Sequence, residues 1–222
     1  MKREVNMADI SDGKLYGIND MVKADCGGCV GCSACCRGMG QSIILDPLDI
    51  YNLNTNLSVS FEELLDKEIE LNVFDGIILP NVKMNAEDAC SFLNAEGRCE
   101  IHTFRPGVCR LFPLGRFYEA DGFRYFLQTK ECKKDNRSKI KVKNWIDIEN
   151  IKENEKFINE WHDFIKELQE KIIGQDESTI KKIDMFILQH FYIEKYNQVE
   201  DFYVQFDARL KKAIEVVKLL LP

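Results

Sequence analysis

Residues 25–40 read DCGGCVGCSACCRGMG and place five cysteines within eleven positions. The first four are each three residues apart and the fifth follows directly; they are Cys26, Cys29, Cys32, Cys35 and Cys36. A continuous run of this spacing is typical of the thiolates that hold iron–sulfur clusters. The interspersed glycines allow left-handed backbone conformations and a close approach to a metal group. The stretch therefore predicts a metal-binding loop, since cysteines acting only as small buried hydrophobes would not need this spacing.

Residues 90–114, CSFLNAEGRCEIHTFRPGVCRLFPL, form a second cysteine block. Its cysteines and arginines alternate along the chain as Cys90, Arg98, Cys99, Arg105, Cys109 and Arg110. A guanidinium lowers the pKa of a neighbouring thiol and offsets the negative charge of a four-thiolate cluster. Arg105 and Arg110 flank the turn between Pro106 and Cys109, so we predict that both contact the cofactor or its ligands. Cys132 follows after a further strand-like segment.

The composition of the 222-residue chain indicates which kinds of binding partner and which cellular compartment to expect. Its net charge of −7 argues against binding of a nucleic-acid backbone, which normally requires a basic surface. We expect no membrane span, because no apolar run approaches the roughly 20 residues that cross a bilayer. The first residues, MKREVNMADISDGKLYG, lack the apolar core of a secretory signal, so we expect a reducing cytoplasm. There, nine cysteines, an odd number, indicate metal ligands or catalytic thiols more readily than disulfides.

All nine cysteines lie between Cys26 and Cys132, which divides the chain into two predicted parts. Residues 1–137 are predicted to form a cysteine-cluster metal-binding domain of short strands and helices. Residues 138–222 are predicted to form a helical segment packed on that domain, because apolar residues recur there at three- and four-residue intervals. The three apolar stripes are 157–172, 180–191 and 204–220. The expected fold class is α+β.

Local signals place several elements in the first part. Asp46 before Pro47 predicts the start of one helix, and Ser60 with Glu63 has the spacing of a capping box at the start of another. β-Branched and aromatic residues predict strands in other segments. The predicted strands are 41–45, 75–84 and 122–129.

The two cysteine blocks together resemble the YkgJ-type cysteine-cluster family, whose motif is Cys-x-x-Cys-x-x-Cys-Cys. The segment CVGCSACC matches that motif, and the later block matches in its cysteines and in Arg105, Pro106, Arg110, Phe112 and Pro113. The resemblance spans about residues 29–132 and implies a zinc- or iron-chelating domain. The metal ligands that it implies are Cys29, Cys32, Cys35, Cys36, Cys90, Cys99, Cys109 and Cys132. Cys26 lies outside this shared set.

The identity of the metal is open between two alternatives. Continuous three-residue spacing with flanking arginine and proline favours a [4Fe–4S] cluster, with the remaining cysteines holding a second metal or staying as thiols. Eight thiolates also suffice for two closed tetrahedral zinc sites, and soft sulfur ligands accept either metal. We predict an iron–sulfur cluster, with structural zinc as the alternative.

The activity class is open as well, and no catalytic residue can be assigned from spacing. An iron–sulfur centre predicts an oxidoreductase or another iron–sulfur-dependent enzyme of unknown substrate. Flagellin lysine N-methylases resemble the family distantly in their cysteine cluster, which implies methyl transfer, but no Gly-rich S-adenosylmethionine loop is recognisable in this sequence. Structural zinc instead predicts an interaction module for an unknown protein partner. A thiol oxidoreductase is a third hypothesis, although the sequence lacks the βαβ pattern of thioredoxins.

Overall fold

The computed structural model describes residues 7–27, 29, 32–134 and 136–221, and the chain forms two compact units. The first, called here the cysteine unit, comprises residues 1–43 and 84–151. The second, called the helical unit, comprises residues 44–83 and 152–222. This division differs from the boundary after residue 137 that the sequence suggested. Residues 44–83 pack with the C-terminal helices, whereas residues 138–151 pack with the cysteine segments.

The helices and strands are short before residue 150 and long after it. In chain order they are α1 (Met7–Ile10), β1 (Met21–Asp25), α2 (Pro47–Leu57), α3 (Phe61–Lys67), β2 (Ile69–Phe74), β3 (Ile77–Val82), α4 (Gly107–Leu111), β4 (Leu114–Glu119), β5 (Gly122–Leu127), β6 (Ser138–Lys141), α5 (Val142–Ile146), α6 (Ile151–Lys171), α7 (Glu177–Leu188) and α8 (Phe202–Leu220). Short 3₁₀ turns cover Ala34–Cys36 and His102–Phe104, and α7 continues into a π-helical turn at Gln189–Ile193. The predicted α+β class with a helical C-terminal segment is confirmed.

Two antiparallel strand pairs frame the cysteine unit. β1 pairs with β6, and β4 pairs with β5 as a hairpin that includes the predicted strand at 122–129. The sequence did not predict β6, because a strand whose partner lies more than a hundred residues away leaves little local signal. The buried core beside these strands consists of Val22, Ala24, Leu111, Leu114, Tyr125, Leu127, Val142 and Ile146. This core anchors the end of β1 and the end of α4, which lie next to cysteine-bearing segments.

The two predicted helix starts in the helical unit are confirmed. The Asp46 side chain accepts a hydrogen bond from the Asp49 N–H at 2.9 Å, and the Asp49 carboxylate accepts from the Asp46 N–H at 3.2 Å. Ser60 and Glu63 form the same reciprocal pair at the start of α3. Each box satisfies N–H groups that have no partner inside the helix.

The three apolar stripes are confirmed as α6, α7 with its π-helical turn, and α8. Their aromatic side chains interlock: the ring centroids of Phe157 and Phe206 lie 4.6 Å apart, and those of Trp161 and Phe191 lie 5.0 Å apart. Edge-to-face pairs of this kind add to the stabilisation that comes from burial alone. Within the described ranges, none of the helices combines the length and apolarity needed to cross a bilayer.

The strand predicted at residues 41–45 was wrong. Ile44 forms a single bridge with Asn81, and the Leu45 N–H donates to the Pro80 carbonyl at 2.9 Å. Pro80 has no N–H with which to return a hydrogen bond, so the ladder cannot continue there. The chain then turns into the N-cap of α2 at Asp46. The proline therefore ends the pairing at Leu45, while on the other side of the bridge the Ser42 N–H donates to the Met39 carbonyl in a turn.

Candidate metal centre

The first cysteine loop starts where β1 ends. The Asp25 carboxylate accepts hydrogen bonds from the Gly27 N–H and from the Ser138 hydroxyl, both at 2.9 Å. These bonds tie the start of the loop to the first residue of β6. Gly27 then takes a left-handed conformation with φ of 69°, and Cys29 takes one with φ of 59°. Two residues of the loop thus have left-handed backbone within four positions of the end of β1.

Left-handed backbone at loop glycines, expected from the sequence, is present where the loop is described. Gly27, Gly38 and Gly40 have positive φ angles. Gly28 and Gly31, which the same expectation included, lie outside the described residues. Further along, the Cys32 N–H donates to the Cys29 carbonyl at 3.0 Å, and a 3₁₀ turn at Ala34–Cys36 follows.

Five sulfur-bearing side chains line one small pocket in the cysteine unit, called here the thiol pocket. They are Cys26, Cys29, Cys32, Cys35 and Cys132. Phe112, Pro113 and Trp145 form an apolar wall, and the charged lining residues are Glu131, Lys133 and Lys134. The pocket is partly open to solvent, and a water-sized sphere can occupy about 20 Å³ of it. The structure thus gathers four of the eight predicted ligands, together with Cys26, around a space of atomic size.

Backbone hydrogen bonds join the second cysteine block to the first. The Cys90 N–H donates to the Cys36 carbonyl at 2.8 Å, and the Gly38 N–H donates to the Asp88 carbonyl at 2.9 Å. Cys99 forms a bridge with Leu93, which closes the turn between Cys90 and Cys99. Cys36, Cys90 and Cys99 therefore belong to one hydrogen-bonded framework, whereas Cys109 lies on α4.

The charge of Arg105 acts on three of the predicted ligands. Burial raises the pKa of the Cys29 thiol to about 12, and nearby Cys26 and Cys35 raise it further, while Arg105 lowers it. The hydrogen bond to Cys36 and then burial raise the pKa of Cys35, and burial raises that of Cys99; Arg105 opposes both shifts. The arginine therefore acts in the predicted direction, but burial outweighs it. A metal that binds these sulfurs must displace their protons.

The three arginines of the second block also hold backbone carbonyl groups. Arg98 donates to the Cys29 carbonyl at 3.3 Å, and Arg105 donates to the His102 carbonyl at 2.8 Å. Arg110 donates to the Thr103 carbonyl and to the Asp147 carbonyl, the latter at 3.1 Å. The guanidinium of Arg110 thus bridges the turn before α4 and the end of α5. Contact of Arg105 or Arg110 with a cofactor stays a prediction.

The described cysteine sulfurs lie near one another but are not arranged as a closed metal site. Among residues 7–27, 29, 32–134 and 136–221, no three His, Cys, Asp or Glu side chains are arranged to hold a metal ion. The assignment of all eight cysteines as ligands stays a prediction. Sequence reasoning set aside Cys26 and did not consider Lys133, Lys134 or Trp145 for the site. The three-residue spacing of Cys26 from Cys29 was the signal that could have retained it.

Comparison with known families supports the resemblance seen in the cysteine blocks. Residues 28–133 match the model of the CxxCxxCC family, whose description is "Putative zinc- or iron-chelating domain". Neither the curated proteins nor the solved structures compared with the chain gave a match. The matched segment includes the eight predicted ligands and begins after Cys26. Residues 28–133 of this chain are therefore similar to the CxxCxxCC family, a zinc- or iron-chelating domain by its description.

Proposed function

We propose that the CxxCxxCC domain of this chain holds a single metal ion, zinc, in a thiolate site at the thiol pocket. The observation that carries the proposal is the meeting of Cys29 and Cys32, from the first cysteine loop, with Cys132, from the segment after β5. Structural zinc sites draw their cysteines from separated segments in this way, because the metal replaces a hydrophobic core between them. The volume of about 20 Å³ suits one ion.

An ion in this pocket would draw the described sulfurs closer to one centre than they lie in the structure. Metal binding and local folding are commonly coupled, because the metal supplies the free energy that orders its ligands. Loss of protons from the buried thiols adds a pH dependence to that step. Lys133, Lys134 and Arg105 lie close enough to offset the negative charge of the thiolates. The Phe112–Pro113 wall and Trp145 limit the access of water to the site.

The remaining predicted ligands lie around a second part of the framework. Cys36, Cys90 and Cys99 are joined by backbone hydrogen bonds and bridges, and Cys109 lies on α4. With Cys35 hydrogen-bonded to Cys36, these cysteines are available for a second metal. In this arrangement, the bound metal stabilises the domain, and the function of the domain would be to bind a protein partner.

A [4Fe–4S] cluster is the second candidate, and the sequence favours it. The run from Cys26 to Cys35 has uninterrupted three-residue spacing, as in cluster-binding loops, and arginine and lysine side chains surround it. Such a cluster would supply electron transfer or an iron–sulfur-dependent reaction. The cysteines that would hold it line a pocket that is partly open to solvent.

Metal analysis of anaerobically purified protein separates the two candidates. The zinc proposal predicts a colourless protein with stoichiometric zinc and no inorganic sulfide. A brown protein with roughly four iron and four sulfide per chain would establish the cluster instead. A chain that binds neither metal when purified from metal-supplemented cells would refute both. Cys132→Ser should lower the metal content, and Ser91→Ala, outside the proposed ligands, is the matched control.

A further inference from the structure

Cys26 precedes the segment that matches the CxxCxxCC family and is absent from the eight cysteines of the shared motif. In the structure it lies in the thiol pocket beside Cys29, Cys32 and Cys132. Its Sγ atom is 3.3 Å from the Sγ atom of Cys29. A residue outside the family segment thus contributes a sulfur to the wall of the proposed site.

The sulfur–sulfur distance identifies the kind of interaction that this pair can make. A disulfide bond is about 2.05 Å long, so the two sulfurs are not in bonding range. Two thiolates on one tetrahedral zinc, each about 2.3 Å from the metal, lie roughly 3.8 Å apart. The observed 3.3 Å is closer to this second value than to the first. The pair is in hydrogen-bonding contact, and a shift of about half an ångström would give the separation of two ligands of one ion.

Rigid neighbours hold Cys26 in this place. It directly follows β1, whose residue Val22 is buried in the core of the cysteine unit. The Asp25 carboxylate ties the next turn to β6 through Gly27 and Ser138. The position of Cys26 is thus set by a strand pair, which is the kind of support that a metal ligand needs.

The number of cysteines in the thiol pocket also allows Cys26 to be one of the four ligands of a zinc ion. Five cysteines line the thiol pocket, whereas a closed zinc site takes four. Cys35 also lines the pocket, but its side chain hydrogen-bonds to Cys36, its neighbour in the chain, so we assign it to the second group of cysteines. The four that remain are Cys26, Cys29, Cys32 and Cys132.

We propose that Cys26 is a metal ligand of the thiol pocket and binds the same ion as Cys29. This inference rests on the proposed function, because it assumes a metal in the pocket. It extends the ligand set of this chain beyond the family segment. A disulfide between Cys26 and Cys29 is the competing arrangement that the experiment must detect.

The test compares Cys26→Ser, Cys29→Ser and Ser33→Ala with the wild-type chain, all purified anaerobically. Zinc per chain is measured together with the chelator concentration that removes half of it. Removing even an outer partner of a metal ligand costs about 10- to 100-fold in affinity. We therefore expect both cysteine variants to release metal at least about tenfold more readily than the wild type. Ser33→Ala, in the same loop, should retain wild-type behaviour.

Alkylation of the wild-type protein gives an independent readout that does not depend on the variants. Iodoacetamide labelling followed by peptide mass spectrometry should find Cys26 protected in the metal-bound form and labelled after chelation. Circular dichroism of each variant establishes that its helices are intact.

The outcomes separate this inference from the proposed function. If Cys29→Ser loses metal while Cys26→Ser retains it like Ser33→Ala, the inference is wrong and the proposed function stands. Equal labelling of Cys26 before and after chelation, or a Cys26–Cys29 disulfide in the metal-bound protein, would also overturn the inference. A wild-type chain that carries no metal overturns both.

Discussion

Replacement of Arg110 by methionine should loosen the part of the cysteine unit that carries Cys109. The guanidinium donates to the Thr103 and Asp147 carbonyls, and at 3.5 Å it also reaches the Ile146 carbonyl. Methionine keeps most of the aliphatic stem but removes every donor. The substitution therefore isolates the hydrogen bonds that join the turn before α4 to the end of α5.

The expected loss follows from the number and exposure of these bonds. A hydrogen bond with a charged donor contributes roughly 1.5–3 kcal/mol when it is protected from water. The Thr103 and Asp147 carbonyls remain near solvent and can be rehydrated, so about 1–1.5 kcal/mol is appropriate for each. The bond at 3.5 Å is too long to count. The two good bonds together imply a loss of about 2–3 kcal/mol in local stability.

Hydrogen exchange measured by mass spectrometry can localise this loss. In Arg110→Met, the amides of α4 and α5 should exchange about 30- to 150-fold faster, which corresponds to 2–3 kcal/mol. Amides of α6 and α8, in the helical unit, serve as an internal reference and should not change. Arg110→Lys keeps the charge but cannot reach both carbonyls with a planar fork, so its effect should be intermediate.

Arg124→Met is the matched control variant. Arg124 makes an exposed ion pair with Glu119 in the β4–β5 hairpin, and exposed pairs contribute little to stability. Exchange in α4 and α5 should therefore stay at the wild-type rate in this variant. Wild-type exchange rates in Arg110→Met would refute the reasoning, because they would mean that water replaces the guanidinium without loss.

Two further predictions concern the packing of each unit. Gly115→Ala should destabilise the cysteine unit by roughly 1–3 kcal/mol in chemical unfolding, because an added Cβ would lie 2.4 Å from the ring of Phe126 on the paired strand. An unfolding midpoint equal to that of the wild type would contradict this, because it would mean that the ring moves aside freely. Asp184→Asn should raise the melting temperature near pH 7: burial raises the pKa of Asp184, so the folded state disfavours its charge, while the amide oxygen can still accept the Ile78 N–H. Protonated Asp184 is neutral, so its burial carries no charge penalty below the unfolded pKa of about 3.9, and the penalty appears as the pH rises. The advantage of asparagine should therefore shrink toward pH 3. An equal advantage at pH 3 and pH 7 would contradict this cause.

Much of the helical unit was predictable because its signals are local. Ser60 and Glu63 lie within one turn of helix, so their reciprocal capping can be read from spacing alone. The apolar residues of the stripe that contains Phe157 and Trp161 repeat at the helical period, and they form the buried face of α6. What failed was the strand at residues 41–45, where Ser42 bonds within a turn and Leu45 meets Pro80 from a different part of the chain.

Some features of the candidate site could likewise be predicted from local sequence, and others could not. The family resemblance and the cysteine spacing sufficed to predict a metal-binding domain, since ligand type and turn length are local properties. They did not reveal that Cys132 faces the first loop, or that Lys133 and Lys134 bring positive charge to the same pocket. They also left Cys26 aside, although its sulfur contacts that of Cys29. These contacts depend on the pairing of β1 with β6, which brings distant segments together.

Local patterns in the sequence are enough to predict an α+β fold, amphipathic C-terminal helices and a cysteine-rich segment similar to a zinc- or iron-chelating domain. These properties follow from periodicity, capping and the spacing of thiols, all of which act over a few residues. Only the tertiary structure decided which thiols meet, how burial and Arg105 set their pKa values, and how much room they leave. Those quantities depend on distances between segments far apart in the chain, and such distances exist only after the strands have paired.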